Sequence, residues 1–206
     1  MRITWKHSDT DLVWPLTVEQ RIDIFYQQLW GWQLHVADLI ANGEDALEGE
    51  AKVQSIPHSG FAVLQICLIY FETIGKYRAL SIGSHGAQFK AGAQDVFPVL
   101  QNVPRDVRDK ALNVLYREAR CGLYHNSRTG RAVGLGQTPN GEAMAYYPDA
   151  QVLLISPERL PRTLKGHLER YRTELLDPTN SEARKCFVRQ FDKDFGVGQP
   201  PPKKKS

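Results

Sequence analysis

Helical periodicity dominates the first two thirds of the chain. "TVEQRIDIFYQQLWGWQLHVADLIANGED" sets Ile24, Leu29, Val36, Leu39 and Ile40 among polar residues, with Thr17 as an N-cap and Gln20 three residues on, the pattern of a capping box. It predicts a helix that closes near Asn42-Gly43 and is loosened in its middle by Gly31. Residues 43–57 are polar, end in Pro57 and form a connection. "HSGFAVLQICLIYFETIGKYRAL" is apolar almost all round from Phe61 to Phe71. Eleven such residues also suit a buried strand, but the continuation through Ile74 and Tyr77 to Ala79 favours a central buried helix. Its polar residues Gln65, Glu72 and Lys76, spaced by seven and four, make one narrow stripe.

After Gly83-Ser84-His85-Gly86, "AQFKAGAQDVFPVL" predicts a short helix ended by Pro98. Pro104 suits the first turn of the next, "PRDVRDKALNVLYREARCG", whose apolar stripe is Val107, Ala111, Val114 and Leu115, and Gly122 is its expected stop or kink. From 132 the texture changes to short apolar runs separated by Pro139-Asn140-Gly141 and Pro148-Asp149, which predict a β-hairpin or three-stranded meander over about 132–156. Two helices follow: one opens at Pro157 with Pro161 in its first turn, the other is capped by Asn180 or Ser181. The fold class is therefore mainly α, a helical bundle with a small β insert before two C-terminal helices. Its organisation is an N-terminal segment 1–15, a helical domain 16–195 and a basic tail 196–206, "VGQPPPKKKS" being expected to be disordered.

Composition narrows the function classes. With 206 residues, 42% of them hydrophobic, one sizeable core is expected. Lys plus Arg number 26 against 23 Asp plus Glu, so a basic site must be local rather than a charge coat over the whole chain. Cys67, Cys121 and Cys186 are three and far apart, which argues against a disulfide framework or a zinc ribbon. His7, His35, His58, His85 and His167 do not fall at metal-ligand spacing, and their default role is at the surface or in hydrogen bonds between helices. No metal or cofactor is expected. The N-terminus has no signal-peptide pattern, and the run Phe61–Phe71 is about half of a membrane span. A cytoplasmic protein with no membrane contact is the expectation.

The richest chemistry lies in "YREARCGLYHNSRTG", residues 116–130. On an ideal helix Arg120 and His125 point about 140° apart. A helix that ends at Gly122 would let His125 fold back over Arg120. "RCGLYHN", Arg120 to Asn126, with the upstream "YFETIGKY" on a central helix, resembles the HEPN superfamily, in which an Arg is followed four to six residues later by a His at the end of a bundle helix. The resemblance covers roughly residues 16 to 126; the β insert and last two helices would elaborate that fold.

It implies a metal-independent endoribonuclease, acting as a homodimer in a toxin or phage-defence setting, with RNA and an antitoxin protein as partners. The residue chemistry suits that role. His125 can move a proton near neutral pH, and Arg120 offers a fork of donors to a phosphorane. Asn126 can orient a phosphate oxygen or a 2′-hydroxyl, while Arg117, Arg128 and Arg131 draw in the backbone. Glu72 has two candidate partners, Lys76 one helical turn on and Arg120 across the bundle, the latter favoured by the resemblance. The structural reading of the same stretch is a basic helix C-terminus, with Arg117 and Arg120 complementing the helix dipole and His125 capping carbonyls. Cys121 reads as a small packed residue rather than a reactive thiol. The alternatives to an enzyme are a non-catalytic HEPN-like module that binds nucleotide or RNA or serves as an interaction scaffold, and a structural dimer whose arginines pair only with protein carboxylates.

Overall fold

The computed structural model describes residues 15–44, 52–79 and 83–195. The N-terminal residues 1–14 and the basic tail lie outside the described residues. Within them the chain is mainly α-helical, in six helical segments, with one small three-stranded sheet.

The first segment is α1 (Val18–Leu29), a π-helical turn (Trp30–Leu34) and α2 (His35–Asn42) in unbroken succession. Thr17 and Gln20 form the reciprocal capping box, each accepting from the other's backbone N–H at 2.8 and 3.2 Å. The widened turn contains Gly31, so the loosening expected there takes the form of one extra residue in the turn rather than a break.

The central helix α3 (Gly60–Tyr77) buries Val63, Leu64, Cys67, Leu68, Tyr70, Phe71 and Ile74. It is not buried all round. Phe61 and Ile69 are 44% and 54% exposed on the face that also carries Gln65. Against another face packs α4 (His85–Val96), and the two backbones nearly touch. A Cβ on Gly75 would lie 1.9 Å from the carbonyl oxygen of Gln88, and one on Gly92 would lie 1.9 Å from that of Phe71. Only glycine permits that approach. Ser84 caps α4 through a bond from the Ala87 amide, which sets His85 as its first residue.

After a 3₁₀ turn at Pro98–Asn102, α5 (Arg105–Val114) runs through a second π-helical stretch (Leu115–Cys121) into α6 (Gly122–Asn126). Pro104 caps this segment instead of opening its first turn. The strands β1 (Val133–Leu135), β2 (Met144–Tyr147) and β3 (Val152–Ile155) follow, in the spatial order β1-β3-β2. The expected hairpin is β2–β3; β1 then pairs parallel with β3, which a meander does not do. The sheet packs on α5 and on the π-helical stretch, with Val133, Leu153 and Ile155 buried.

Two final helices, α7 (Leu160–Leu176) and α8 (Ser181–Asp194), close the core around Phe25, Tyr77, Tyr171 and Phe187, whose rings pack edge-on or tilted. Arg21, 8% exposed, ties α1 to α8 through a forked pair with Asp192 at 2.8 and 3.2 Å.

One polar network crosses this core. Burial holds the Tyr70 hydroxyl far above its usual pKa, so it stays protonated and donates to His167 Nδ1 at 2.8 Å. That leaves Nε2–H of His167 to donate to Asp95 at 3.0 Å. Arg78 Nε lies 3.0 Å from the same carboxylate, outside good hydrogen-bond geometry, while its Nη1 donates to Glu174 at 2.6 Å. Burial by itself pushes the Asp95 carboxyl up, but the hydrogen bond from His167 and the charges of Arg78 and Arg170 outweigh it and hold its pKa below the ordinary value.

Because folding lowers this pKa, the stabilisation is complete above the unfolded carboxylate value of about 3.9 and is lost as pH falls through the folded value. Asp95→Asn should therefore cost on the order of 1–3 kcal/mol at neutral pH, since it breaks a half-buried charged hydrogen bond. Thermal melts from pH 7 down to pH 3 should show the gap to wild type narrowing below about pH 4; a gap independent of pH would contradict the assignment.

Candidate active site

Arg120 lies in the π-helical stretch, and the helix does not stop at Gly122. Gly122 has ordinary right-handed helical angles (φ −58°, ψ −49°), and the helix runs on to Asn126, where Ser127 takes the left-handed conformation at φ 56°. The expected stop is thus four residues too early. Gly122 answers to a different constraint. The chain leaving the helix folds back along it, and a Cβ on Gly122 would lie 2.8 Å from the carbonyl oxygen of Arg128. Gly130 is held in the same way, its amide donating to Glu118 O at 2.9 Å and its Cα pressed against the Glu118 carboxylate.

With the helix continuing, His125 does not fold back over Arg120 by a chain reversal, and that route to a joint site is lost. The side chain of Tyr124 links them instead. Tyr124 is 68% exposed; the Arg120 guanidinium lies 5.1 Å from its ring centre, and the His125 ring meets it edge-on at a centroid distance of 5.1 Å. These are the dimensions of a cation–π contact and a T-shaped aromatic pair.

Glu72 chooses between its two candidate partners. Its Oε2 accepts from Arg120 Nη2 at 3.3 Å, whereas Lys76 turns away to Asp194 on α8 at 2.8 Å. Oε1 takes a second partner, His85 Nδ1, at 2.6 Å. His85 thus makes the interhelical hydrogen bond that was its default role, but on the one carboxylate that also holds Arg120. The seat of α4 explains why it reaches: a Cβ on Gly86 would lie 2.9 Å from the Tyr116 ring, so the first turn of α4 rests directly on the π-helical stretch. Burial raises the Tyr116 hydroxyl above its usual pKa, and the neighbouring Cys121 adds to the effect, so this support stays an uncharged phenol.

The result is one chain of contacts, His85–Glu72–Arg120–Tyr124–His125, drawn from three helices. Its middle members Glu72, Arg120 and Tyr124 line a groove of about 360 Å³ together with Gln65, Ile69 and Lys76 among others, while His85 and His125 lie outside that lining. The polar stripe of α3 runs along this groove. Asn126, Arg117, Arg128 and Arg131 are all exposed, and none of the three arginines pairs with another described residue. They lie near the end of the same helix and are not part of the contact chain. Among the described residues no three His, Cys, Asp or Glu side chains gather as a set of metal ligands.

Glu72 and Arg120 are 22% and 27% exposed, so the pair orders the site more than it stabilises the fold. Glu72→Gln should cost about 1 kcal/mol or less, a Tm change of roughly 2–4 °C, yet displace the Arg120 Nε–H and His85 ring signals in NMR spectra. Lys76→Ala should leave both in place. Unmoved signals in Glu72→Gln would contradict the shared carboxylate.

Set beside known proteins, this chain matches no family model, no curated protein and no solved structure.

Proposed function

We propose that the protein is a metal-independent endoribonuclease that cleaves RNA by attack of the 2′-hydroxyl on the adjacent phosphate. The observation that carries this reading is the Arg120 guanidinium, held by Glu72 at a groove that also presents exposed Tyr124, with His125 beside it. A guanidinium fixed by a carboxylate has its remaining N–H groups available to an anion, and it needs little reorganisation when charge builds on the phosphorane. An exposed aromatic ring beside it suits an unstacked base, the usual means of holding single-stranded RNA. Arg117, Arg128 and Arg131 add unpaired positive charge for the flanking phosphates, and Asn126 contacts a phosphate oxygen or a 2′-hydroxyl.

The HEPN-like motif supports the same reading and adds a homodimer to it. The exposed Phe61 and Ile69 beside the groove are the apolar surface that a second copy would cover. A toxin or phage-defence role with an antitoxin partner belongs to this proposal. The alternative is a non-catalytic RNA- or nucleotide-binding module of the same type, favoured by the exposed aromatic and basic residues alone.

Incubation with total RNA in EDTA, at concentrations where the protein is dimeric, separates the two. Wild type should cleave in the chelator, and Arg120→Ala should lose about 10²–10³ in rate, as removal of one oxyanion donor does elsewhere. His125→Ala should lose cleavage as well. RNA binding without cleavage by wild type would favour the alternative, and neither binding nor cleavage would overturn both.

A further inference from the structure

Two histidines lie at opposite ends of the contact chain, and the sequence motif uses only His125. His85 has the geometry of a working base. Its Nδ1 is anchored to Glu72 Oε1 at 2.6 Å, while its side chain is 80% exposed. With Glu72 ionised, Nδ1 carries the proton and Nε2 is left as a free acceptor facing solvent. A carboxylate on one imidazole nitrogen fixes both the tautomer and the direction of the other, the arrangement that general bases share across unrelated folds. The same carboxylate holds Arg120, so base and phosphate-binding cation move as one unit. A histidine serving only to join helices would not need its second nitrogen in water. Lys76 is paired with Asp194, Lys90 with Asn113 at 2.5 Å, and Tyr116 is a phenol, so none of these three competes with His85 for Glu72.

Resting on the ribonuclease reading, we propose that His85 is the catalytic base that takes the proton from the attacking 2′-hydroxyl, with His125 as the acid that protonates the leaving group. The O2′–H bond breaks to His85 Nε2 as the O2′–P bond forms. Arg120 faces the charge on the non-bridging oxygens. The P–O5′ bond then breaks, and the departing 5′-oxygen takes a proton from the His125 imidazolium. The products are a 2′,3′-cyclic phosphate and a 5′-hydroxyl end, and the two histidines recover their starting protonation by exchange with water. No oxidant, reductant or further reactant enters.

The test compares two substrates in the full-length protein: an RNA dinucleotide, and a uridine 3′-phosphodiester of p-nitrophenol, whose leaving group departs without a proton. His85→Gln keeps an N–H for Glu72 but has no basic nitrogen. It should lose about 10²–10⁴ in kcat on both substrates, the usual worth of a positioned base, with the Kd for a 2′-O-methyl dinucleotide and the Tm within error of wild type. Added imidazole should restore part of the rate in His85→Ala. His125→Ala should lose activity on the dinucleotide and regain most of it on the nitrophenyl ester. Wild-type kcat in His85→Gln on both substrates overturns the proposal. Recovery of His85→Gln on the nitrophenyl ester makes His85 the acid and overturns it too. Wild type inactive on both substrates removes the ribonuclease reading itself, and the role of His85 with it.

Discussion

The close approach of α3 and α4 at Gly75 and Gly92 is the constraint on which the site depends. With a Cβ at either position the helices would be forced apart, because the nearest atoms across the contact are backbone carbonyls that cannot rotate away. At this separation the N-terminal end of α4 comes level with Glu72, one turn of helix from Gly75. The first turn of α4 then rests on Tyr116, and the π-helical stretch that carries Tyr116 also carries Arg120. Two helices that are neighbours in sequence and a third that arrives later thus present His85, Glu72 and Arg120 to one point.

Glu72 is the hub of that point for electrostatic reasons. A carboxylate less than a quarter exposed on a largely apolar helix needs partners, and α3 itself offers only Lys76 within one turn. Lys76 instead meets Asp194, supplied by α8. Glu72 is left to Arg120 and His85, both of which hold N–H groups in defined directions, unlike a flexible ammonium. The charge count matters as well: one carboxylate between a guanidinium and an imidazole leaves Arg120 with donors to spare. Two π-helical stretches interrupt the long helices, and the one at Leu115–Cys121 shifts the facing of every side chain after it, Arg120 and Tyr124 included.

Much of the helical architecture was legible because it follows from local periodicity and caps. The capping box at Thr17, the helix end before Pro98 and the position of Pro161 in the first turn of α7 all depend on residues within one turn of each other. The illegible features depend on distant backbone. Gly122 has the composition of a helix stop, but it is glycine because the carbonyl of Arg128 comes to rest against it. The short strands carry no mark of pairing order, so β1 joining β3 in parallel is set by the helices beneath the sheet. Phe61 and Ile69 look like core from their neighbours and prove to be surface. In the site, the pattern leaves Glu72 two candidate partners, Lys76 on its own helix and Arg120 across the bundle, and only the HEPN resemblance favours Arg120, the partner it has in the structure. His85 was passed over because its meaning lies in Glu72, thirteen residues back and across a connection.

In the proposed enzyme, Glu72 gathers His85 and Arg120 into a single site for a phosphodiester. The most direct measurement is an NMR titration of the protein with an uncleavable 2′-O-methyl oligoribonucleotide, observing arginine Nε–H, histidine ring and tyrosine ring signals. Such a site should give concerted, saturable shifts at Arg120, Tyr124, His85 and His125 with one Kd, which weakens as salt rises. Shifts confined to another face, such as the groove of Arg159 and Arg162 beside Gly141, would contradict it.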